Sequence, residues 1–179
     1  MDLRRHDAGY SRLKPPLLPH VSLGRRYLAA DYCRGVCRLD FARIGRSKGG
    51  LSTKIHALVD ALGNPLDFIL TPGQAHDLEG ADALLPDMAA ATLLADKAFD
   101  ADQRVIEPLL ARGKSFVIPP KSNRKIQRDF DKDAYKARHL IENFFCKLKQ
   151  YRAIATRYDK TARNFLAAIH LAAAIIWLN

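Results

Sequence analysis

The sequence predicts an α/β domain in which a mixed sheet is flanked by helices, and three observations support this prediction. First, "LSTKIHALVD" alternates in the manner of a strand, and the turn "ALGNP" and the strand "LDFILT" follow it, which is typical of an antiparallel hairpin. Second, the strand "TLLAD", a helix over residues 100–112 and the strand "SFVIPP" come in succession. Third, two helices are predicted over about 135–150 and over 161–178. Strands and helices in this order pack as α/β layers.

The connecting segments support the same order of elements. A helix is predicted from Leu78 and ends near Pro86, because proline interrupts a helix. Asp100 is placed where it can cap the next helix at its N-terminus. Residues 121–132 form a charged linker with five basic side chains, which are Lys121, Arg124, Lys125, Arg128 and Lys132.

The composition indicates a globular protein outside the membrane. Hydrophobic residues make up 48% and charged residues 27% of the 179 residues, which is usual for such a protein. No apolar run reaches the roughly 20 residues that a membrane-spanning helix needs, so we expect no membrane association. The three cysteines show no CxxC spacing, which argues against a zinc site and against a disulfide framework. We therefore expect a cytoplasmic protein.

The charge is unevenly distributed along the chain. Residues 1–50 carry 11 Lys/Arg and 4 Asp/Glu, a net charge of +7, whereas residues 51–120 carry 5 and 10, a net charge of −5. Residues 121–179 carry 13 and 5, a net charge of +8. An acidic middle between basic flanks suits a carboxylate site that binds a polyanion such as DNA. A basic surface that only contacts solvent is the alternative.

Residues 1–44 differ from the rest of the chain in their proline content and in their hydrophobic pattern. Three prolines occur in "RLKPPLLPH", and no strand or helix period continues through the segment. The sequence therefore predicts an atypical, poorly ordered N-terminal segment over 1–44 and a folded domain over 45–179.

The helix predicted over 135–150 combines a continuous apolar face with a polar stripe. At 100° per residue, Tyr135, Arg138, Glu142 and Lys149 fall within an arc of about 60°. The apolar residues of this segment lie together on another side of the helix, and they are Ala137, Leu140, Ile141, Phe144, Phe145 and Leu148. The stripe either lines a site or is a solvated face with incidental ion pairs four residues apart.

The spacing Y-(2)-R-(3)-E-(6)-K of this stripe resembles the signature of DDE transposases of the insertion-sequence four and five superfamily. "LLADKAFD" resembles the family's second-aspartate segment, and "GRSKGGLSTKIHALVD" and "TPGQAHD" resemble the segments that precede it. The last helix, "RNFLAAIHLAAAIIWLN", also resembles that of the family. The resemblance extends from Gly45 to Asn179.

The resemblance implies a ribonuclease-H-like fold and an enzyme that cleaves DNA and transfers the cut strand with the help of metal ions. Asp96 and Glu142 are then the second and third catalytic carboxylates, and they hold Mg²⁺ (or Mn²⁺), which prefers oxygen ligands. The implied partners are the transposon ends and the target DNA, and a homodimer on the DNA is one option. The implied DNA contacts come from the stripe and the linker, through Tyr135, Arg138, Lys149, Lys121, Arg124 and Lys125.

The family's first aspartate has no clear counterpart in this sequence. It is expected to end a strand before "GRSKGG", but Asp7, Asp31 and Asp40 are the available residues and none follows a convincing strand. Residues 1–44 are then either a frame-shifted or wrongly started segment, or a divergent genuine one. Three functions stay open: a transposase that is truncated or inactive in this copy, a stand-alone metal nuclease of similar fold, and a non-catalytic DNA-binding fragment.

Three other polar residues have simpler interpretations. Asp96 could be a capping residue rather than a metal ligand. His56 is interpreted as a strand side chain and His76 as a loop residue, because each lies alone in the sequence.

Overall fold

A computed structural model of the chain describes residues 20–29, 45–47, 50–159 and 161–178. Its centre is a six-stranded sheet. The strands are β1 (His20–Ala29), β2 (Gly45–Ser47), β3 (Gly50–Val59), β4 (Pro65–Pro72), β5 (Thr92–Ala95) and β6 (Ser115–Val117).

The sheet combines three parallel strands with an antiparallel hairpin. β1 pairs in parallel with β5, and β5 pairs in parallel with β6. β3 runs antiparallel to β1 on one side and to β4 and β2 on the other. The predicted α/β class with a mixed sheet and flanking helices is confirmed. The strand order agrees with the ribonuclease-H-like fold that the resemblance implies.

Helices cover both faces of this sheet. They are α1 (Leu78–Leu84), α2 (Glu107–Ala111), α3 (Lys132–Lys136), α4 (His139–Leu148), α5 (Arg152–Ala155) and α6 (Ala162–Leu178). A π-helical turn, Asp102–Ile106, leads into α2, and a 3-10 turn, Lys97–Phe99, follows β5. None of the helices in the described ranges has the length and hydropathy that crossing a bilayer requires.

Each face of the sheet has its own apolar core. On one face, α4, α5 and α6 pack on β3 and β4 through residues such as Ile55, Ile141 and Phe165. On the other face, α1, α2 and the turns that follow β5 pack through residues such as Leu23 and Phe99. Because strand side chains alternate, β3 contributes Ile55 to the first core and Leu58 to the second.

The hairpin prediction is confirmed, and its turn has an identifiable cause. Asp60 accepts hydrogen bonds from the backbone N–H of Leu62 and of Asn64, both at 2.8 Å, which closes the turn. Gly63 adopts a φ of +88°, a conformation that side chains with a Cβ disfavour. The local sequence therefore determines where β3 ends and β4 begins.

The single helix predicted over 135–150 is interrupted. α3 ends at Lys136 and α4 begins at His139. The N–H of Arg138 donates to the carbonyl of Tyr135 at 3.0 Å, a three-residue bond that tightens the chain between the helices. The apolar face of α4 is confirmed, because its buried residues are Ile141, Phe144, Phe145 and Leu148.

Residues 1–44 were predicted to be an atypical, poorly ordered segment, and the structure describes a strand within it, His20–Ala29. This segment forms β1, which lies between β3 and β5 at the centre of the sheet. Its pairing depends on backbone groups of strands far along the chain, which a local pattern does not reveal. Residues 1–19 and 30–44, including the candidate aspartates Asp7, Asp31 and Asp40, lie outside the described residues.

Candidate active site

Asp96 lies at the carboxyl end of β5, directly after the buried Ala95. Its backbone is extended, so its side chain points away from the face that holds Ala95 and toward the face that α4 covers. The Asp96 carboxylate accepts a hydrogen bond from the N–H of Ala98 at 2.6 Å. The capping interpretation of Asp96 is therefore correct as a description of its contact, although capping leaves its second oxygen available.

The residue beside Asp96 on the neighbouring strand is a glycine. The last paired residues of β1 and β5 are Leu23 and Ala95, so Gly24 and Asp96 come next in register. A Cβ on Gly24 would lie 2.8 Å from Cδ1 of Ile141 on α4. The side chain of Ile141 thus fills the space that a longer residue at this position of β1 would need.

The polar residues of the signature lie at the junction of α3 and α4. Arg138 donates a hydrogen bond to the Glu142 carboxylate in an ion pair. The guanidinium of Arg138 also lies 5.6 Å from the centroid of the Tyr135 ring, which is a cation–π contact. The ring of Phe130 meets Tyr135 edge-on at the same centroid distance. Three of the four stripe residues therefore form one connected group.

Tyr135 links this group to Asp96. Its partial burial raises the pKa of the phenol, Arg138 lowers it, and the carboxylates of Asp96 and Glu142 raise it further, so that the pKa lies above its ordinary value of 10.0. Both carboxylates therefore influence the Tyr135 hydroxyl electrostatically. Tyr135, Arg138 and Glu142 are thus in contact with one another, and the Asp96 carboxylate contributes to the raised pKa of Tyr135.

The fourth stripe residue and two of the linker lysines are solvent-accessible cations. Lys149 is exposed at the C-terminal end of α4, and Lys125 is exposed in the linker. Lys121 is half-buried just after the strand β6 and its two prolines. Their charges are available to a polyanion on the surface.

Arg124 has a different environment from these lysines. Its guanidinium forms ion pairs with the buried Asp100 and with the half-exposed Asp102. The prediction that Asp100 caps a helix is wrong, because the Asp100 carboxylate binds arginine instead and the turn beginning at Asp102 has no side-chain cap. The two acids and the two arginines are visible in the sequence, but more than 20 residues separate them, so their pairing could not be predicted from local spacing.

The two histidines have the environments that were predicted. His56 is buried on β3, and its Nε2 is hydrogen-bonded to the Thr71 hydroxyl at 2.8 Å. His76 lies in the loop before α1, where its Nδ1 accepts a hydrogen bond from the N–H of Leu78 at 3.2 Å.

The two candidate carboxylates in the described part of the chain are suitable in kind for a hard divalent cation. Asp96 and Glu142 provide the oxygen ligands that Mg²⁺ and Mn²⁺ prefer. Among the residues that the structure describes, no group of three His, Cys, Asp or Glu side chains is arranged to hold a metal ion. Gly24, at the position beside Asp96, has no side chain to contribute.

Comparison with known proteins identifies the family. Residues 40–177 match the family model of the transposase DDE domain, and the chain belongs to this family. It is therefore a DDE transposase by family, which is a class of nucleases and strand transferases that depend on divalent metal ions and act on DNA.

One relative matches over most of this chain. It is a protein of Brucella ovis whose name gives it as a candidate transposase for insertion sequence element IS6501. The two sequences are 42% identical over 133 residues, which cover 72% of this chain and 100% of the relative.

Among solved structures, the catalytic core domain of BIV integrase is similar to this chain with a TM-score of 0.48 and 15% sequence identity. The match covers 86% of this chain and 80% of the integrase domain.

Proposed function

We propose that this chain is an insertion-sequence transposase copy that still binds DNA and has lost most of its capacity to cleave it. The observation that supports the second half is the residue next to Asp96. Gly24 occupies that position on β1, and Ile141 fills the space above it. Among the described residues, Asp96 and Glu142 are the two carboxylates that raise the pKa of Tyr135.

We propose Asp96 and Glu142 as the catalytic and metal-binding residues, with Mg²⁺ or Mn²⁺ as the ion. When bound, the ion would neutralise charge that develops on the phosphate oxygens during cleavage. Two side-chain carboxylates do not hold two ions in fixed positions, and the described part of the chain offers no third carboxylate grouped with them as a bridging ligand. Losing several kcal/mol of transition-state stabilisation lowers the rate roughly a thousandfold or more.

The chain's own residues have separable roles in this proposal. The Tyr135 hydroxyl, close to both carboxylates, is suited to orient a DNA strand by a hydrogen bond. Arg138 holds Glu142 through its ion pair and stacks on Tyr135, so it orients the carboxylate as well as adding positive charge. Exposed Lys149 and Lys125 are suited to contact phosphates.

The proposed DNA binding is supported by the positive charge of the chain and does not require an intact metal centre. Residues 121–179 carry 13 Lys/Arg against 5 Asp/Glu. Contacts between these cations and phosphates release counterions, so binding should weaken steeply as salt increases. Transposon ends and target DNA are the proposed partners, and a homodimer on the DNA is one arrangement of the complex.

The test uses supercoiled plasmid with Mg²⁺ or Mn²⁺ and three proteins: the native chain, Glu142→Gln and the matched control Glu107→Gln. Glu107 is an exposed residue of α2, on the opposite face of the sheet from α4. We expect all three to shift the plasmid in a gel at low salt and to nick it at close to background rates. Robust nicking by the native chain and Glu107→Gln, but not by Glu142→Gln, would show that cleavage is intact. Failure of the native chain to bind at low salt would contradict the other half.

A further inference from the structure

The basic linker after β6 is held in a defined shape by two aspartates. The N–H of Arg124 donates to the carbonyl of Lys121 at 3.1 Å. The side-chain amide of Gln127 donates to the carbonyls of Lys121 and Arg124, at 3.2 Å and 3.1 Å. We call residues 121–128 the basic turn. It follows β6, whose carboxyl end lies at the same edge of the sheet as the carboxyl end of β5 and therefore as Asp96.

Asp100 is the centre of the contacts that hold the basic turn. Its side chain is 1% exposed and accepts hydrogen bonds from the N–H of Lys121 at 2.8 Å and from Nε of Arg124 at 3.2 Å. Arg128 forms an ion pair with its other oxygen. A carboxylate this buried needs such partners, because an unpaired charge inside a protein is costly.

Asp102 binds the same two arginines from the solvent side. Its side chain is 49% exposed, and its Oδ1 accepts from both Arg124 and Arg128, the latter at 3.2 Å. Each arginine therefore bridges the two carboxylates, which fixes its orientation as well as its position. Arg128 also stacks over the ring of Phe116 on β6, at 5.2 Å from the centroid.

We infer that Asp100 and Asp102 are positioning residues that hold the basic turn beside Asp96, so that Lys121 and Lys125 contact DNA phosphates there. In this assignment Arg124 and Arg128 are structural links to the two aspartates rather than DNA contacts. The inference rests on the proposed DNA binding and deepens it, because it separates the cations that contact DNA from those that place them. Asp100 lies four residues after Asp96, so the Lys97–Phe99 turn joins the two carboxylates directly.

The Asp100→Asn variant distinguishes positioning from simple electrostatics, because the two explanations predict opposite changes in DNA affinity. Removing a negative charge near the DNA should tighten binding if charge alone matters. If the basic turn must be held in place, Asp100→Asn should instead weaken binding, by about tenfold at moderate salt, the scale of one or two lost phosphate contacts. The probe is a labelled DNA duplex of mixed sequence, titrated by fluorescence anisotropy without added metal.

Asp129→Asn is the matched control. Asp129 is exposed next to the basic turn, and its carboxylate accepts from the N–H of its neighbour Phe130 at 3.0 Å. The Asp129→Asn substitution changes the net charge by the same amount as Asp100→Asn, and we expect this variant to bind DNA as tightly as the native chain or more tightly. Lys125→Ala should reduce the slope of log affinity against log salt by about one, as expected for one lost phosphate contact.

A second variant keeps the inference testable if the Asp100→Asn protein fails to fold. In Arg124→Lys/Arg128→Lys both positive charges are kept, but a lysine cannot bridge two carboxylates as arginine does. We expect this protein to bind DNA more weakly than the native chain despite its unchanged charge, with circular dichroism used to verify folding.

The outcomes separate the inference from the proposed function. If the native chain binds the duplex and both Asp100→Asn and the double lysine variant bind at least as tightly, the positioning inference is overturned and the proposed function stands. If the native chain does not bind the duplex, the proposed function fails and the inference fails with it. Weaker binding in both variants, with Asp129→Asn unaffected, supports the inference.

Discussion

β1 and β5 are parallel neighbours at the centre of the sheet, yet they contribute differently to the candidate site. β5 is followed directly by Asp96, whose carboxylate contributes to the raised pKa of Tyr135. The next position of β1 in the same register is Gly24, which Ile141 covers. The backbone pairing of the two strands is thus present, while Gly24 offers no side chain at this position of β1. Strand pairing depends on backbone hydrogen bonds and core packing, so it does not require the carboxylates.

The same two strands differ in their relation to the family. β5 lies within residues 40–177, which match the transposase DDE domain, whereas β1 lies before them. The match therefore begins close to the change of texture in the sequence at Gly45.

The largest expected effect comes from placing a carboxylate on β1. Gly24→Asp should lower the free energy of unfolding by about 3 kcal/mol or more, because it displaces Ile141 and buries a charge. Gly24→Ala, the steric control, should cost about 1 kcal/mol. Urea unfolding measures both values.

Adding Mn²⁺ tests whether the new carboxylate of Gly24→Asp binds a metal ion together with Asp96. If the new carboxylate and Asp96 form a metal site, Mn²⁺ should recover about 2–3 kcal/mol in Gly24→Asp at a hundredfold excess over its dissociation constant. It should leave Gly24→Ala unchanged. A Gly24→Asp protein as stable as the native chain without metal would show that Ile141 does not restrict this position.

Substitutions of Asp96 should have an intermediate effect on stability, and two variants separate the contribution of its capping contact from that of its charge. Asp96→Ala removes the acceptor for the N–H of Ala98 and should destabilise the chain by about 1 kcal/mol. Asp96→Asn keeps an oxygen acceptor there and should remain within about 0.5 kcal/mol of the native stability. Thermal unfolding checks the difference. Equal losses in the two variants would mean that the charge rather than the cap stabilises this end of β5.

The smallest effect concerns the titration of Tyr135. Glu142→Gln should lower the pKa of Tyr135 toward 10.0, because the Glu142 carboxylate is one of the groups that raise it. Ultraviolet titration compared with Tyr135→Phe isolates this phenol, and Glu107→Gln serves as a control on the opposite face. An unchanged Tyr135 titration in Glu142→Gln would contradict the proximity of the two groups.

The raised pKa of Tyr135 also predicts the direction of a pH effect on stability. In the folded chain the phenol keeps its proton at a pH where the unfolded chain has lost it. Its contribution to stability is therefore fully present below pH 10 and is lost as the pH rises through the folded-state pKa. Tyr135→Phe should reduce the loss of stability in that alkaline range, as urea unfolding at several pH values would show.

Some parts of the site could be predicted from sequence because their determinants are local. Asp96 follows a short apolar run, which indicates the end of a buried strand. The pairing of Arg138 with Glu142 follows from a spacing of four residues. The interruption between α3 and α4 was missed, because the apolar period continues across it and the tightening depends on a single three-residue hydrogen bond.

The amino-acid sequence by itself determined the elements whose cause is local: the hairpin closed by Asp60, the end of β5 at Asp96 and the apolar face of α4. Only the tertiary structure decided which residues share the site. The position of Gly24 beside Asp96 comes from strand pairing across about 70 residues of chain, and Asp100 meets Arg124 and Arg128 across more than 20. The physical reason is that hydrophobic periodicity records burial against an unspecified partner, whereas register and ion pairing depend on which partner is present.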